Sequence, residues 1–121
     1  MAQELIMVVD DSPTDQRLVS SALQKQGYRV ITASDGEEAL EKAAKEHPRL
    51  IVLDIILPKK NGFQVCRQLK TTPATQDIKI ILLSSKAQDS DRFWGLKQGA
   101  DEYMTKPFED AQLAAMIKKL L

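Results

Sequence analysis

The sequence has little of what many enzymes and most small secreted domains depend on. One cysteine, Cys66, stands among 121 residues. That excludes an internal disulfide and any zinc site of several thiolates. One histidine, His47, is present, so serine–histidine–aspartate chemistry survives only if that residue is the base. The five glycines, at 27, 36, 62, 95 and 99, never adopt the spacing of a dinucleotide-binding fingerprint or a P-loop. Neither sign of charge is in excess: 17 Lys and Arg face 17 Asp and Glu. A general nucleic-acid binder draws affinity from a basic surface, and a polybasic membrane anchor needs the same bias. No apolar run nears the ~20 residues of a membrane helix, and the first residues lack the pattern of a signal peptide. The expectation is a soluble, cytoplasmic chain with no nucleic-acid partner and no membrane insertion.

What is present suits one packed domain. Hydrophobic residues make up 43% of the chain, enough for a core, and the length is that of a single domain. Apolar runs at 5–9, 50–53 and 78–83 are continuous or broken once, as in strands buried on both faces. A run at 28–33 alternates more and suits a less protected strand. Between them lie helical patterns. The first opens at Ser12-Pro13, carries Leu18, Val19, Ala22 and Leu23, and stops at Gly27. The second has Ser34 and Glu37 at capping-box spacing, an apolar stripe of Ala39, Leu40, Ala43 and Ala44, and ends at His47-Pro48. A third runs over about 62–69, with Phe63, Cys66 and Leu69 on one side; a fourth runs over about 89–98, with Phe93, Leu96 and Ala100 as its core stripe; a last covers 110 onward. A fifth strand is expected at 100–105. The order βαβαβαβαβα predicts an α/β fold: a doubly wound parallel sheet with helices on both faces.

In such sheets ligands collect beyond the carboxyl ends of the strands. Those positions hold Asp10-Asp11, Asp54, Ser84-Ser85 and Thr105-Lys106-Pro107. Three carboxylates brought together repel one another and call for a cation. Their hard oxygens suit Mg²⁺, which binds through one or two carboxylates with waters and a phosphate. A lysine and a serine hydroxyl beside it form a cradle for phosphoryl oxygens, and aspartate is a known covalent phosphoryl acceptor. Each piece alone has a plain reading. Asp10-Asp11 is an ordinary turn pair, Ser84-Ser85 an ordinary loop start, and Lys106 an ordinary surface lysine. Cys66 and Met7 read as core, and His47 as a solvated residue at a helix end. Lys59-Lys60 reads as a solvated loop that also flanks the acceptor and would attract an acidic partner. It is their joint position at one sheet edge that points to chemistry.

Together Val9-Asp-Asp-Ser12, Leu53-Asp54 with Ile56, Pro58 and Asn61-Gly62, Leu83-Ser84-Ser85, and Gly99-Ala100 with Tyr103 and Lys106-Pro107-Phe108 resemble the receiver domain of two-component response regulators over essentially the whole chain. The resemblance implies a flavodoxin-like (βα)5 sheet of order 2-1-3-4-5. It makes Asp54 the phosphoacceptor, with Asp11 and, mainly through water, Asp10 on Mg²⁺, joined by Asp54 and the carbonyl of Ile56. Ser84 and Lys106 would grip the phosphoryl oxygens, and the receiver interval of 22 residues before the lysine selects Ser84 over Ser85. Lys106-Pro107 would be a cis peptide. Tyr103 would be the aromatic that turns as Ser84 moves, altering a face built from the fourth helix, fifth strand and fifth helix for a protein target. The phosphodonor would be a histidine kinase, and the chain would catalyse only its own phosphorylation and slow dephosphorylation.

The run 91–100 looks most like single-domain CheY-like receivers of chemosensory and type IV pilus twitching systems. That would give one domain over residues 1–121, without an output domain and monomeric. Fast-dephosphorylating chemotaxis receivers often carry polar groups two residues after the acceptor and after the hydroxyl residue; here these are Ile56 and Lys86, and Ile56 predicts a long-lived phosphoryl group. Trp94 packs at the core edge or serves a partner surface with Tyr103. Rival readings are a phosphorylation-independent pseudo-receiver adaptor, a phosphate sink for a shared kinase, and a haloacid-dehalogenase-type hydrolase. The last needs a second aspartate where Ile56 stands.

Overall fold

A computed structural model describes residues 3–85 and 88–121. Its elements are β1 (Leu5–Val9), α1 (Pro13–Lys25), β2 (Arg29–Ala33), α2 (Gly36–Glu46), β3 (Leu50–Asp54), α3 (Gly62–Thr71), β4 (Lys79–Ser84), α4 (Asp89–Lys97), β5 (Glu102–Thr105) and α5 (Asp110–Leu120). The five strands form one parallel sheet in the order β2-β1-β3-β4-β5. This is the flavodoxin-like arrangement expected.

The continuous apolar runs follow from burial on both faces. Met7 and Val9 of β1, Ile51 and Leu53 of β3, and Ile80 and Leu82 of β4 pack with Ala39 and Ala43 of α2 and with Val65, Cys66 and Leu69 of α3. Their neighbours Ile6, Val8, Leu50, Val52, Ile81 and Leu83 point the other way, onto Val19 and Leu23 of α1 and Leu113 and Ile117 of α5. Successive strand residues face opposite sides, so each strand supplies both cores. β2 is an edge strand, and only Ala33 in it is fully buried. Cys66 lies in the first core, where burial pushes its thiol up to about 12, so it is a packing residue.

Local signals place the helix starts. Ser12 caps α1 by accepting the Asp15 N–H, and Pro13 takes the first turn. Asn61 and Gln64 form a capping box on α3. The box predicted at Ser34 and Glu37 does not form: Asp35 is the cap and accepts from Glu38 N–H, while Glu38 Oε1 accepts the N–H of Ser34, one residue before the cap. Leu18 and Ala44, expected in apolar stripes, are exposed.

The larger departure is α4. Of its expected core stripe only Ala100, just past the helix, is buried: Phe93 is 59% and Leu96 47% exposed, and Trp94 is exposed beside them. Only Gly95 of this helix is buried. A Cβ there would lie 2.7 Å from Leu82 Cδ1 and 3.0 Å from the Tyr103 ring. The helix backbone thus sits directly on the sheet, and the flanking large residues are turned outward. Phe93 and Trp94 meet edge to face with ring centroids 6.4 Å apart.

Candidate functional site

The strand order reverses between β1 and β3, and the functional side chains gather at that switch point. Asp10 follows β1, and its N–H donates to the Ala33 carbonyl at the end of β2. Its Oδ1 accepts the Ser12 N–H at 2.9 Å. Gln16, one turn into α1, donates from Nε2 to the carbonyls of both Asp10 and Ala33. The loop that carries the acidic pair is therefore pinned from three sides.

Asp54 closes β3. Its Oδ1 accepts the Ile56 N–H at 3.3 Å. Behind it, Gly62 donates its N–H to the Ile55 carbonyl at 2.7 Å, and any Cβ at Gly62 would collide with the Asp54 carbonyl oxygen. Asn61-Gly62 is thus a backbone-on-backbone support for the acidic strand end. Side-chain oxygens of Asp10, Asp11 and Asp54 all lie within 4.8 Å of one another, with Asp10 and Asp54 buried and Asp11 exposed. Burial raises the Asp54 pKa; the Lys106 charge opposes the rise and the Asp10 charge adds to it. A divalent cation would relieve that cost. Three hard oxygens open to solvent on the Asp11 side fit an ion such as Mg²⁺ that keeps some of its waters.

Lys106 reaches the cluster from beyond β5. Its N–H donates to the Ser84 carbonyl at 2.8 Å, and the Lys106-Pro107 peptide is cis, as the resemblance implied. Its Nζ lies 2.9 Å from Asp10 Oδ2, 2.9 Å from Asp15 Oδ2 and 3.4 Å from Asp54 Oδ2. Burial would lower the lysine's pKa, but the hydrogen bonds it donates to Asp15 and Asp10 and the Asp54 charge outweigh it, so the ammonium stays protonated well above the usual range. Ser84 is fully buried at the end of β4. The arrangement suits phosphoryl transfer to a carboxylate: an acceptor, a cation site, and a fixed positive charge for developing negative charge.

The structure brings Asp10, Asp11, Asp54 and Lys106 together and sets Ser84 at the adjoining strand end. The ligand role of the Ile56 carbonyl rests on the family resemblance; Ile56 itself is 56% exposed. Tyr103 is turned inward and buried, so the exposed aromatics of this face are Phe93 and Trp94. The Arg92 guanidinium lies 5.5 Å from the Tyr103 ring centroid and donates to the Tyr103 carbonyl. Lys86 lies outside the described residues. His47 is exposed as expected, pairing with Asp77. Sequence reasoning missed Asp15, Gln16 and Arg92. Asp15 carried a signal, being one turn beyond Asp11 at the same sheet edge.

A groove of about 540 Å³ borders the centre between α1 and the start of α5, lined by Leu18, Val19, Ala22, Lys106, Pro107 and Phe108 among others. Among the described residues no helix is long and apolar enough to cross a membrane.

Comparison with known proteins agrees with this geometry. The response regulator receiver domain matches residues 6–118. The chain is 47% identical over 116 residues to the alkaline phosphatase synthesis transcriptional regulatory protein PhoP of Bacillus subtilis, covering 96% of this chain and 48% of that protein. It thus spans about half the length of that relative and of several like it. Protein PilH of Pseudomonas aeruginosa is 38% identical, with 96% of each chain covered. The structure of the Vibrio cholerae chemotaxis protein CheY4 superposes with a TM-score of 0.92 at 31% identity, covering 99% of this chain and 100% of that one.

Proposed function

This chain belongs to the response regulator receiver domains of two-component signalling, and from that premise we propose that it is a phosphorylation-activated switch with Asp54 as acceptor. The carrying observation is the placement of Asp54 within 4.8 Å of two further carboxylates and 3.4 Å from the Lys106 ammonium. An Asp54 oxygen attacks the phosphorus of a phosphohistidine on a kinase. The phosphorus–nitrogen bond breaks, its electron pair returns to the imidazole, and that nitrogen takes up a proton. Asp10, Asp11 and Asp54 would hold Mg²⁺, which would supply positive charge to offset that of the phosphoryl oxygens. Lys106 and Ser84 contact those oxygens. The transfer is the chain's own modification and no turnover of an external substrate is involved; water later attacks the phosphorus, and the bond to Asp54 breaks to release phosphate.

The output is altered affinity for a protein target at α4, β5 and α5. Engagement of Ser84 with the phosphoryl group and the packing of Tyr103 under Arg92 and against Gly95 link the site to that face. This is a population shift between two states, bounded by the target's differential affinity for them. A chemosensory or pilus-motility setting is the reading favoured by the 91–100 run and by similarity to PilH along 96% of both chains.

The test is calorimetric binding of beryllofluoride, an aspartyl-phosphate mimic, with Mg²⁺, alongside Trp94 fluorescence. Saturable Mg²⁺-dependent binding that is lost in Asp54→Ala is expected. No binding by the wild-type protein would overturn the reading in favour of a phosphorylation-independent adaptor.

A further inference from the structure

Lys106 is the one cation in the acidic cluster among the described residues, and it is held by more carboxylates than phosphoryl transfer requires. An ammonium has three hydrogens to donate. Here Asp10 and Asp15 each accept at 2.9 Å and Asp54 stands at 3.4 Å, so all three are engaged. Asp10 and Asp54 belong to the metal-binding and acceptor set. Asp15 belongs to neither. It projects from the first turn of α1, and its side chain is 41% exposed against 3% for Asp10 and 11% for Asp54. A first-turn aspartate ordinarily answers the positive end of its helix. That explains an acid at this position, but not a side chain that spans 91 residues of sequence to reach the lysine beyond β5. The Lys106 backbone is itself fixed by its bond to Ser84, so a change of partner falls to the side chain.

Resting on the reading of Asp54 as phosphoacceptor, we propose that Asp15 is a positioning residue that tethers the Lys106 ammonium toward α1 in the unphosphorylated state, in competition with the phosphoryl oxygens. To grip a phosphoryl oxygen, Lys106 gives up a bond. Phosphorylation converts the Asp54 contact into a phosphoryl contact, and a cation on Asp10 weakens the second. Asp15 is the partner that neither event removes, and its pull is the restraint the phosphoryl group must overcome. Asp15 thereby tunes how readily the site closes on its ligand.

The test compares beryllofluoride affinity at saturating Mg²⁺ in wild type, Asp15→Asn and Asp15→Glu, and repeats the Asn change in a Lys106→Met background. Asp15→Asn is expected to tighten binding by about 3- to 10-fold, the weight of one partly exposed charge-assisted hydrogen bond. Asp15→Glu, which keeps the carboxylate, is expected to stay near wild type. In Lys106→Met the gain is expected to vanish, whereas a general effect of removing negative charge would persist there. If Lys106→Met binds no beryllofluoride, urea midpoints of ligand-free wild type, Asp15→Asn, Lys106→Met and the double variant replace this arm; the Asn change should then cost more stability where Lys106 is present, the cost common to both backgrounds being that of the helix end. Unchanged or weaker binding in Asp15→Asn, or an equal effect without Lys106, overturns the tether while wild-type binding still upholds the acceptor reading.

Discussion

Asp54 carries its charge at a disadvantage in the metal-free protein. Its folded-state pKa lies above the ordinary 3.8, mainly through burial. The folded state therefore holds more protons than the unfolded state between those two values, and stability falls as pH rises through that window. Above it the penalty persists in full. Asp54→Asn is thus expected to raise the urea midpoint at neutral pH in metal-free buffer, and the difference should vanish below about pH 4, where the unfolded aspartate is protonated too. An Asn variant less stable than wild type at pH 7 would contradict this. At the neighbouring position, the exposed apolar side chain of Ile56 offers nothing to orient a water. Ile56→Asn is expected to speed hydrolysis of the acyl phosphate several-fold, measured as loss of label from Asp54; unchanged or slower decay would show that water access is set elsewhere.

At the scale of elements, two helices meet the sheet through glycine and with different consequences. Gly62 opens α3 against the backbone of Asp54 and Ile55, where a Cβ would lie only 2.7 Å from the Ile55 Cα. Backbone atoms at a strand end have little room to yield. Gly62→Ala is expected to cost about 1–3 kcal/mol as an overpacked contact and to weaken beryllofluoride binding as well, since the displaced atoms carry the acceptor. A stability loss with unchanged binding would separate the two effects. Gly95 instead lets α4 lie close to Leu82 and Tyr103 with its large apolar residues facing outward. Its seat on the sheet has no buried side chain of its own, and the Arg92 contact to Tyr103 is a main link between this helix and β5. Few buried side-chain anchors make α4 an element expected to shift readily if Tyr103 repacks.

For the molecule as a whole, ligand linkage offers the broadest test. A cation that binds the folded acidic cluster and not the unfolded chain raises stability with concentration, by about 1.4 kcal/mol per tenfold excess over its dissociation constant. Thermal unfolding at increasing Mg²⁺ is expected to show a rising Tm in wild type and a flat one in Asp11→Ala, whose exposed carboxylate can be removed without opening the core. An equal rise in both would place the ion elsewhere.

The order of strands and helices, the two-sided burial of β1, β3 and β4, and the meeting of Asp10, Asp11, Asp54 and Lys106 at one sheet edge were legible along the chain. Local chemistry sets them: continuous Val, Ile and Leu runs are stable only inside a covered parallel sheet, and polar residues at the ends of such runs must meet at one edge. The cap at Ser12 and the stop at Gly27 were legible for the same reason, since they depend on a few consecutive residues. What only the tertiary structure decided depends on how separate elements approach one another. Helical spacing placed Phe93 and Leu96 on a stripe but carried no information on which side of α4 would face the sheet. The small cross-section of Gly95 settled that against the bulkier residues. The reach of Asp15 to Lys106 is of the same kind, a contact between a helix start and a strand end that adjoin only once the sheet has formed.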